Sequence, residues 1–493
     1  MSLSAAIFNA KSGLTSVQRQ LAGASDNIAN ARTPGYVAKE ARVTAQNIAG
    51  FGSGVVADVV RSPVDSILLR DVRLEAAQLG TLDVRAEATA RVADVSGDPA
   101  DERSLAFAFT TLETRFQELF DQPERADLQR QVVFAAQNLV SKFSEVESAI
   151  QAARTEADLR ISDGVRTVNQ ALQGIEDLNR KVAEGLTGDI DISGVLDERD
   201  RLIDLVAEQI GIRTFTRDRG EVVIATTEGV TLLDGEAREL VFNRTAVIDA
   251  STPVGTLSGL EVDGFDISPR SPRGPQDLRT GMIAGAFIAR DQDLVGFQSQ
   301  LDALAKQTAV LFQETDASLA TAVPGTPGLF TGFGGAAVDP LANATAIVGL
   351  AGQLAVNPLA DPDQGGDSRL VRDGLAGVVT TPGDKTQIQA WLTGLSNTRT
   401  FDPSADLTET TTLQGFASEL SAGLLTDRAN LEGLADRSRT IFETLELRRF
   451  NENGVNVDEE SEKLLELEQA YAANAQVINI VARMFDELLA RIA

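Results

Sequence analysis

The sequence predicts a mainly α protein with a small inserted β domain: terminal heptad helices forming a coiled-coil domain, a helical middle domain and a β-rich domain. Three observations carry this. Apolar residues recur every seven positions at both ends of the 493-residue chain. Long stretches between the ends keep helical spacing. From about Ile212 to Ile267 that spacing gives way to β-rich runs divided by turn dipeptides.

At the N-terminus Ile7, Leu14, Leu21 and Ile28 form the heptad, with Leu3, Ala10, Val17 and Ala24 four residues before each. At the C-terminus Leu464, Tyr471, Ile478, Phe485 and Ile492 recur at seven, and Leu467, Asn474, Val481 and Leu488 sit three residues on. Both are seams of coiled-coil type, and Asn474 is the polar residue that fixes register in such a seam. A helix with an apolar seam at the end of a chain needs a partner. The first 45 residues hold five basic and two acidic side chains; the last 39 hold three basic and eight acidic. Opposite signs favour pairing of the two ends. Ser461 and the acidic run Asp458–Glu460 mark the start of the C-terminal helix.

Helical spacing also covers 103–160, where Asp121 reads as a cap and Pro123 as the opening of a second helix. It returns at 161–183, 196–210, 276–320 and 413–450. The runs 221–226 and 230–233, joined at Glu228-Gly229, read as strands. Residues 321–410, rich in Gly, Pro, Ala, Asp and Thr, read as an irregular surface excursion instead of a packed domain. The division is therefore 1–60 with 451–493, 61–211 with 271–450, and 212–270.

Composition excludes much. The chain has no His and no Cys. That removes imidazole acid–base chemistry, His-ligated metal, thiolate nucleophiles, zinc fingers and disulfides. With 44 Lys+Arg against 72 Asp+Glu, the net charge of −28 opposes binding to nucleic acid or anionic membranes. No apolar run is long enough to span a membrane. The N-terminus lacks the basic and apolar regions of a cleaved signal peptide.

Candidate chemical sites are weak. Gly52-x-Gly54 is too short for a phosphate loop. The run from Asp361 through Asp363 to Asp367 has Gly365 where a calcium loop needs an oxygen, and Arg372 where it needs Glu. The pair Asp189/Asp191 suits a glycosidase only as any two of many acids do. Trp391 reads as a packing anchor. No catalytic residue, metal or cofactor is expected.

The most specific string is Ser25–Tyr36, a helix stop in which Asn30 can take a left-handed position, Pro34 ends the helix and Gly35 turns the chain. Its Asn27, Asn30, Thr33, Pro34, Gly35 and Tyr36 resemble the signature shared by axial proteins of the bacterial flagellum, the rod, hook and hook-associated proteins. Gly52–Val55 followed by Val59, Arg61 and Asp65, then Leu196–Asp204, then Gly454–Glu460 with Leu464, Leu465, Gln469–Tyr471 and Ala475, resemble the hook-associated protein 1 (hook–filament junction) family. The likeness is strongest over the first 210 and last 80 residues. Val37–Glu40 departs from the more basic pair usual there.

The resemblance implies a structural role. The terminal helices would build a coiled-coil inner domain, and the β domain would be outermost. The chain would cross the flagellar export channel unfolded and assemble outside the cell into a ring or helical layer. Hook protein, a second hook–filament junction protein and an export chaperone near the C-terminal helix are the implied partners. The alternatives are a hydrolase or an adaptor on a filamentous scaffold, and two converging carboxylates in 321–410 would favour the former.

Overall fold

A computed structural model of the chain describes residues 3–33, 35–48, 51–188, 191–323, 325–377, 380–402 and 407–492. The first helix, α1, is Leu3–Asn30. A long antiparallel hairpin follows, β1 (Lys39–Ile48) and β2 (Phe51–Arg61). Then come α2 (Ser66–Ser96), α3 (Leu105–Asp121), α4 (Ala126–Gly188) and α5 (Ser193–Gln209). Strands β3 (Ile212–Thr216), β4 (Val222–Thr226), β5 (Thr231–Asp234) and β6 (Glu236–Ala237) make one antiparallel sheet in that order. Strands β7 (Leu240–Val241), β8 (Glu261–Val262) and β9 (Phe265–Asp266) make another. The remaining helices are α6 (Met282–Ile288), α7 (Leu294–Glu314), α8 (Leu370–Asp373), α9 (Thr386–Ser396), α10 (Leu413–Asn453) and α11 (Val457–Ile492).

The chain divides into two compact units. The first holds 1–77, 167–239 and 438–493; the second holds 78–166 and 240–437. The region 212–270 is therefore not one body: β3–β6 lie in the first unit and β7–β9 in the second.

The second unit carries the large core. Phe116, Phe312 and Trp391 are fully buried, and their rings lie 5.4–5.8 Å apart. Phe330 meets Phe312 at 5.0 Å, and Phe401 stacks on Phe416 at 3.9 Å. Residues 321–410 are thus not a surface excursion. Leu329, Phe330, Leu350, Val371, Ile388 and Trp391 from this stretch belong to the same core as α3, α4 and α7. Their spacing is irregular because a two-residue strand, turns and two short helices, α8 and α9, deliver them in separate pieces. Buried carboxylates hold those turns. Asp302 on α7 accepts the backbone N–H groups of Gly349 and Ala351, each at 2.8 Å. Asp361 accepts from Asp363 N and from the Gln137 and Gln364 amides, so it serves as a cap.

Two helix boundaries shift from expectation. Asp121 is the last residue of α3 and not a cap, and α4 opens at Ala126. Pro123 lies in the linking turn, where its carbonyl accepts from the buried Gln129 amide at 2.8 Å. α4 runs unbroken for 63 residues, about 95 Å at the helical rise.

Trp391 is the chain's one tryptophan, so its fluorescence reports the second unit. Leu350→Ala should lower that unit's urea stability by about 2–5 kcal/mol. A loss within about 0.5 kcal/mol, as for an ordinary surface position, would return 321–410 to the periphery. Burial pushes the Asp302 carboxyl up to about 6, against the pull of the Ala351 and Gly349 N–H groups. A folded value above the unfolded one gives stability that is complete below the unfolded value and lost as pH rises through about 6. The advantage of the natural chain over Asp302→Asn should therefore be larger at pH 5 than at pH 7 by about 1 kcal/mol. A pH-independent difference would show that the two backbone donors offset the desolvation.

Candidate assembly interface

The helix stop at the end of α1 is a latch. Asn27 is fully buried on the last turns of α1. Its Nδ2 donates to Lys39 O at 2.9 Å, and its Oδ1 accepts Lys39 N at 2.8 Å and the Tyr36 hydroxyl at 3.0 Å. One side chain thus satisfies both backbone groups of the first residue of β1, a fit for Asn and not for Asp. Burial and then the carboxylates of Asp26, Asp197, Glu460 and Asp191 push the Tyr36 phenol well above its ordinary value, so it stays a donor. Asn30 does not take the left-handed position expected of it. It ends α1, donating to Asp26 O at 2.9 Å and accepting the Thr33 hydroxyl at 3.3 Å. Gly35 supplies the positive φ, +79°. Pro34 lies outside the described residues.

The hairpin returns along α1, an element that the sequence reading missed. The sequence signal was the β-branched content of β2, with Val55, Val56, Val59 and Val60. Small residues allow the approach. A Cβ at Gly23 would lie 3.0 Å from Val59, and one at Gly54 would lie 2.1 Å from Ser12 Oγ. Ser12 Oγ accepts Val55 N at 3.2 Å, and Arg19 donates to Ala57 O at 3.0 Å.

α11 packs along α1. Its start is set by Asn456, whose Oδ1 accepts Asp458 N at 3.1 Å, and not by Ser461. Asp458, Glu459 and Glu460 fill the first turn. On α1 the companion row Ala10, Val17 and Ala24 is buried, while Ile7, Leu14, Leu21 and Ile28 are half-buried. On α11 Leu467 and Val481 are buried, Leu464, Asn474, Ile478 and Phe485 half-buried, and Tyr471 exposed. The side chains of Leu488 and Ile492 lie outside the described ones. Asn474 faces Gly13, where an added Cβ would sit 3.0 Å from its Oδ1. Leu465, Val477, Ile480 and Met484 on α11 and Phe8 on α1 are exposed by 41–61%. Val477, Ile480 and Met484 fall at i, i+3 and i+7, one stripe along the helix.

A charged clamp lies at the root of these elements. Asp197, Asp200 and Asp204 form a row on α5. Arg61, ending β2, binds Asp197 and Asp200 at 2.7 Å each. Arg73 on α2 binds Asp200 at 3.2 Å and Asp204 at 2.6 Å. Arg449 on α10 binds Asp204 at 2.9 Å. Burial pushes the Asp200 carboxyl up, but Arg73 and Arg61 outweigh it and hold the group below the usual range. At Asp197 burial prevails over Arg61, and the value rises. The acidic row and Arg61 were conspicuous in sequence; Arg73 and Arg449 were not, because nothing in their own segments marks them.

No group of residues able to hold a metal ion occurs among the described residues. Asp191 caps the chain before α5 by accepting Ser193 N at 2.9 Å, and Asp189 lies outside the described residues. In 321–410, Asp373 is paired with Arg372 at 2.7 Å. These carboxylates hold structure, and the hydrolase alternative finds no support.

Comparison with known proteins agrees with this reading. The family described as "Flagellar hook-associated protein FlgK helical domain" matches residues 90–328, and "Flagellar basal body rod FlgEFG protein C-terminal" matches 450–491. The chain is 22% identical to Flagellar hook-associated protein 1 of Bacillus subtilis (strain 168), over 97% of this chain and 96% of that one. It is 24% identical to the protein of that name from Salmonella typhimurium (strain LT2), over 99% and 100%. A solved structure, the flagellar hook junction protein FlgK from Burkholderia pseudomallei, aligns at 20% identity and a TM-score of 0.43 over 53% of this chain and 46% of that one. The chain carries the helical domain of the flagellar hook-associated protein FlgK family and is similar over nearly its whole length to flagellar hook-associated protein 1, findings that indicate a hook-associated junction protein of the flagellum.

Proposed function

We propose that the chain is a mechanical coupler between hook and filament, assembled through its N- and C-terminal helices after export as an unfolded chain. The observation that supports this best is the unfinished burial of the α1–α11 pair. Two helices and a hairpin leave Val477, Ile480 and Met484 as an apolar stripe open to water. A row of that kind gains its burial energy only on association, at roughly 25 cal/mol per Å² of apolar surface covered. The occupant in this reading is the terminal segment of a neighbouring copy, in a ring or helical layer outside the cell. Residues 1–60 and 451–493 are the assembling domain.

Asn27, Asn30, Thr33, Gly35 and Tyr36 then set the angle between α1 and the hairpin. The half-buried seam residues of both helices serve the pair within one chain. Hook protein on one side and a second junction protein on the other are the axial partners, and an export chaperone would cover α11 beforehand. No catalysis and no cofactor enter this role.

The isolated monomer should exchange the amides of 3–30 and 457–492 faster than those of the second unit's core, because the two helices bury only part of their apolar surface within one chain. Incorporation should protect them. Amides around Phe116 and Phe312 should be protected in both states. Strong protection of both terminal helices in the monomer would end the disorder-to-order part of the proposal.

Ile480→Asp tests the stripe. Cells lacking the protein and supplied with this variant should show hooks without filaments and shed flagellin into the medium. The Trp391 unfolding transition of the purified variant should match that of the natural chain. Normal filament number would remove the stripe from assembly.

A further inference from the structure

Asn453 and Gly454 are the chain's single Asn-Gly dipeptide. They end α10, and the fold demands each residue separately. A Cβ at Gly454 would lie 2.5 Å from Phe450 O and 2.7 Å from the Phe450 ring, so only glycine fits. Asn453 is 5% exposed. Its Nδ2 donates to Pro63 O at 2.9 Å, and its backbone carbonyl accepts Ala38 N at 2.9 Å. It therefore ties the end of α10 to the segments on either side of the hairpin. The dipeptide lies along an open groove of about 320 Å³ lined also by Tyr36 and Arg449, so a small opening brings it to water.

We propose that Asn453 is a conditional modification site, whose amide converts to a carboxylate when this joint is open and is guarded when the joint is closed. In the open chain Gly454 N attacks Asn453 Cγ. An N–C bond forms, the Cγ–Nδ2 bond breaks, and ammonia leaves with the proton lost from Gly454 N. The product is a five-membered cyclic imide. Water then adds to either imide carbonyl and opens the ring to aspartate or iso-aspartate. The net change is amide plus water to acid plus ammonia, with no oxidant or reductant.

The closed joint blocks each step. Gly454 N–H is committed to Phe450 O at 2.7 Å, the last helical hydrogen bond of α10. The helical backbone at Asn453 points the Gly454 nitrogen along the helix axis, away from ring closure. Asn453 Oδ1 is buried without a hydrogen-bond partner among the described residues, so no donor polarises Cγ for attack. Conversion would break the joint. The carboxylate has no N–H for Pro63 O and would sit as a buried charge against that acceptor. Iso-aspartate would also add a backbone carbon to the short link between α10 and α11. The reaction is irreversible, so it would mark chains whose terminal unit stays open, whatever the chain's role in the flagellum.

The test incubates the full chain in mildly alkaline buffer with and without urea and follows each asparagine by peptide mass mapping. In urea Asn453 should convert faster than every other asparagine, and without urea it should slow by about tenfold or more. Equal rates in the two conditions would overturn the guard, and no preference for Asn453 in urea would overturn the site. The Asn453→Asp chain then stands for the product. Its Ala38 amide should exchange faster than in the natural chain, while its Trp391 unfolding transition should be unchanged. Unaltered exchange at Ala38 would overturn the claim that conversion opens the joint.

Discussion

The clamp of Asp197, Asp200 and Asp204 with Arg61, Arg73 and Arg449 is the constraint on which the terminal unit rests. It joins the end of a strand and three separate helices at one place. Six charges with little water access are costly to bury, and pairing returns that cost without a large surplus. What such a network supplies is geometry. Removing one partner strands the others, at about 3–5 kcal/mol for a buried pair. The clamp therefore tolerates one arrangement of β2, α2, α5 and α10. Asn27 extends that fixity to α1 by holding both backbone groups of Lys39.

This explains which parts of the structure were legible in sequence. Terminal helices announce themselves because a seam repeats over four or more heptads and the period survives local exceptions. The stop at Ser25–Tyr36 was legible as a string, but not as a mechanism: the left-handed position went to Gly35. Its chief partner, Lys39 of β1, is bonded through backbone groups that no sequence pattern displays. The hairpin was hidden for a related reason. Residues 42–46 of β1 are exposed on both faces, which leaves no clean alternation to read. The region 321–410 was misread because glycine and proline content signals turns, and turns are normally superficial. Here Asp302 and Asp361 tie such turns down from below, so apolar residues at irregular spacing reach the core.

The contrast within the terminal unit is between a determined root and an undetermined tip. At the clamp each of the six charged side chains is held by at least one ion pair. Along α1 and α11 the heptad residues are only half-buried, and one apolar stripe faces water. A folded monomer gains nothing from that stripe. A net charge of −28 offsets the hazard, since repulsion between copies keeps free chains apart until something specific aligns them. Asn474 against Gly13 makes the pairing register-specific, because a larger residue at 13 would push the helices apart at that point.

Root and tip meet at the short link between α10 and α11, and the chemistry there follows from the mechanics. For α11 to return beside α1, α10 must stop within one residue and its last carbonyls must be satisfied at close quarters. That geometry selects glycine at 454. For the hairpin's flanks to be held at the same point, the preceding residue must both donate and accept, which selects an amide at 453. Neither demand has anything to do with reactivity, yet their sum is the most reactive dipeptide an amide can form. A tight joint thus carries its own chemical weakness, and only the closed fold suppresses it. The sequence at this joint is consequently constrained twice: by what the folded state must bind, and by how long the open state can last.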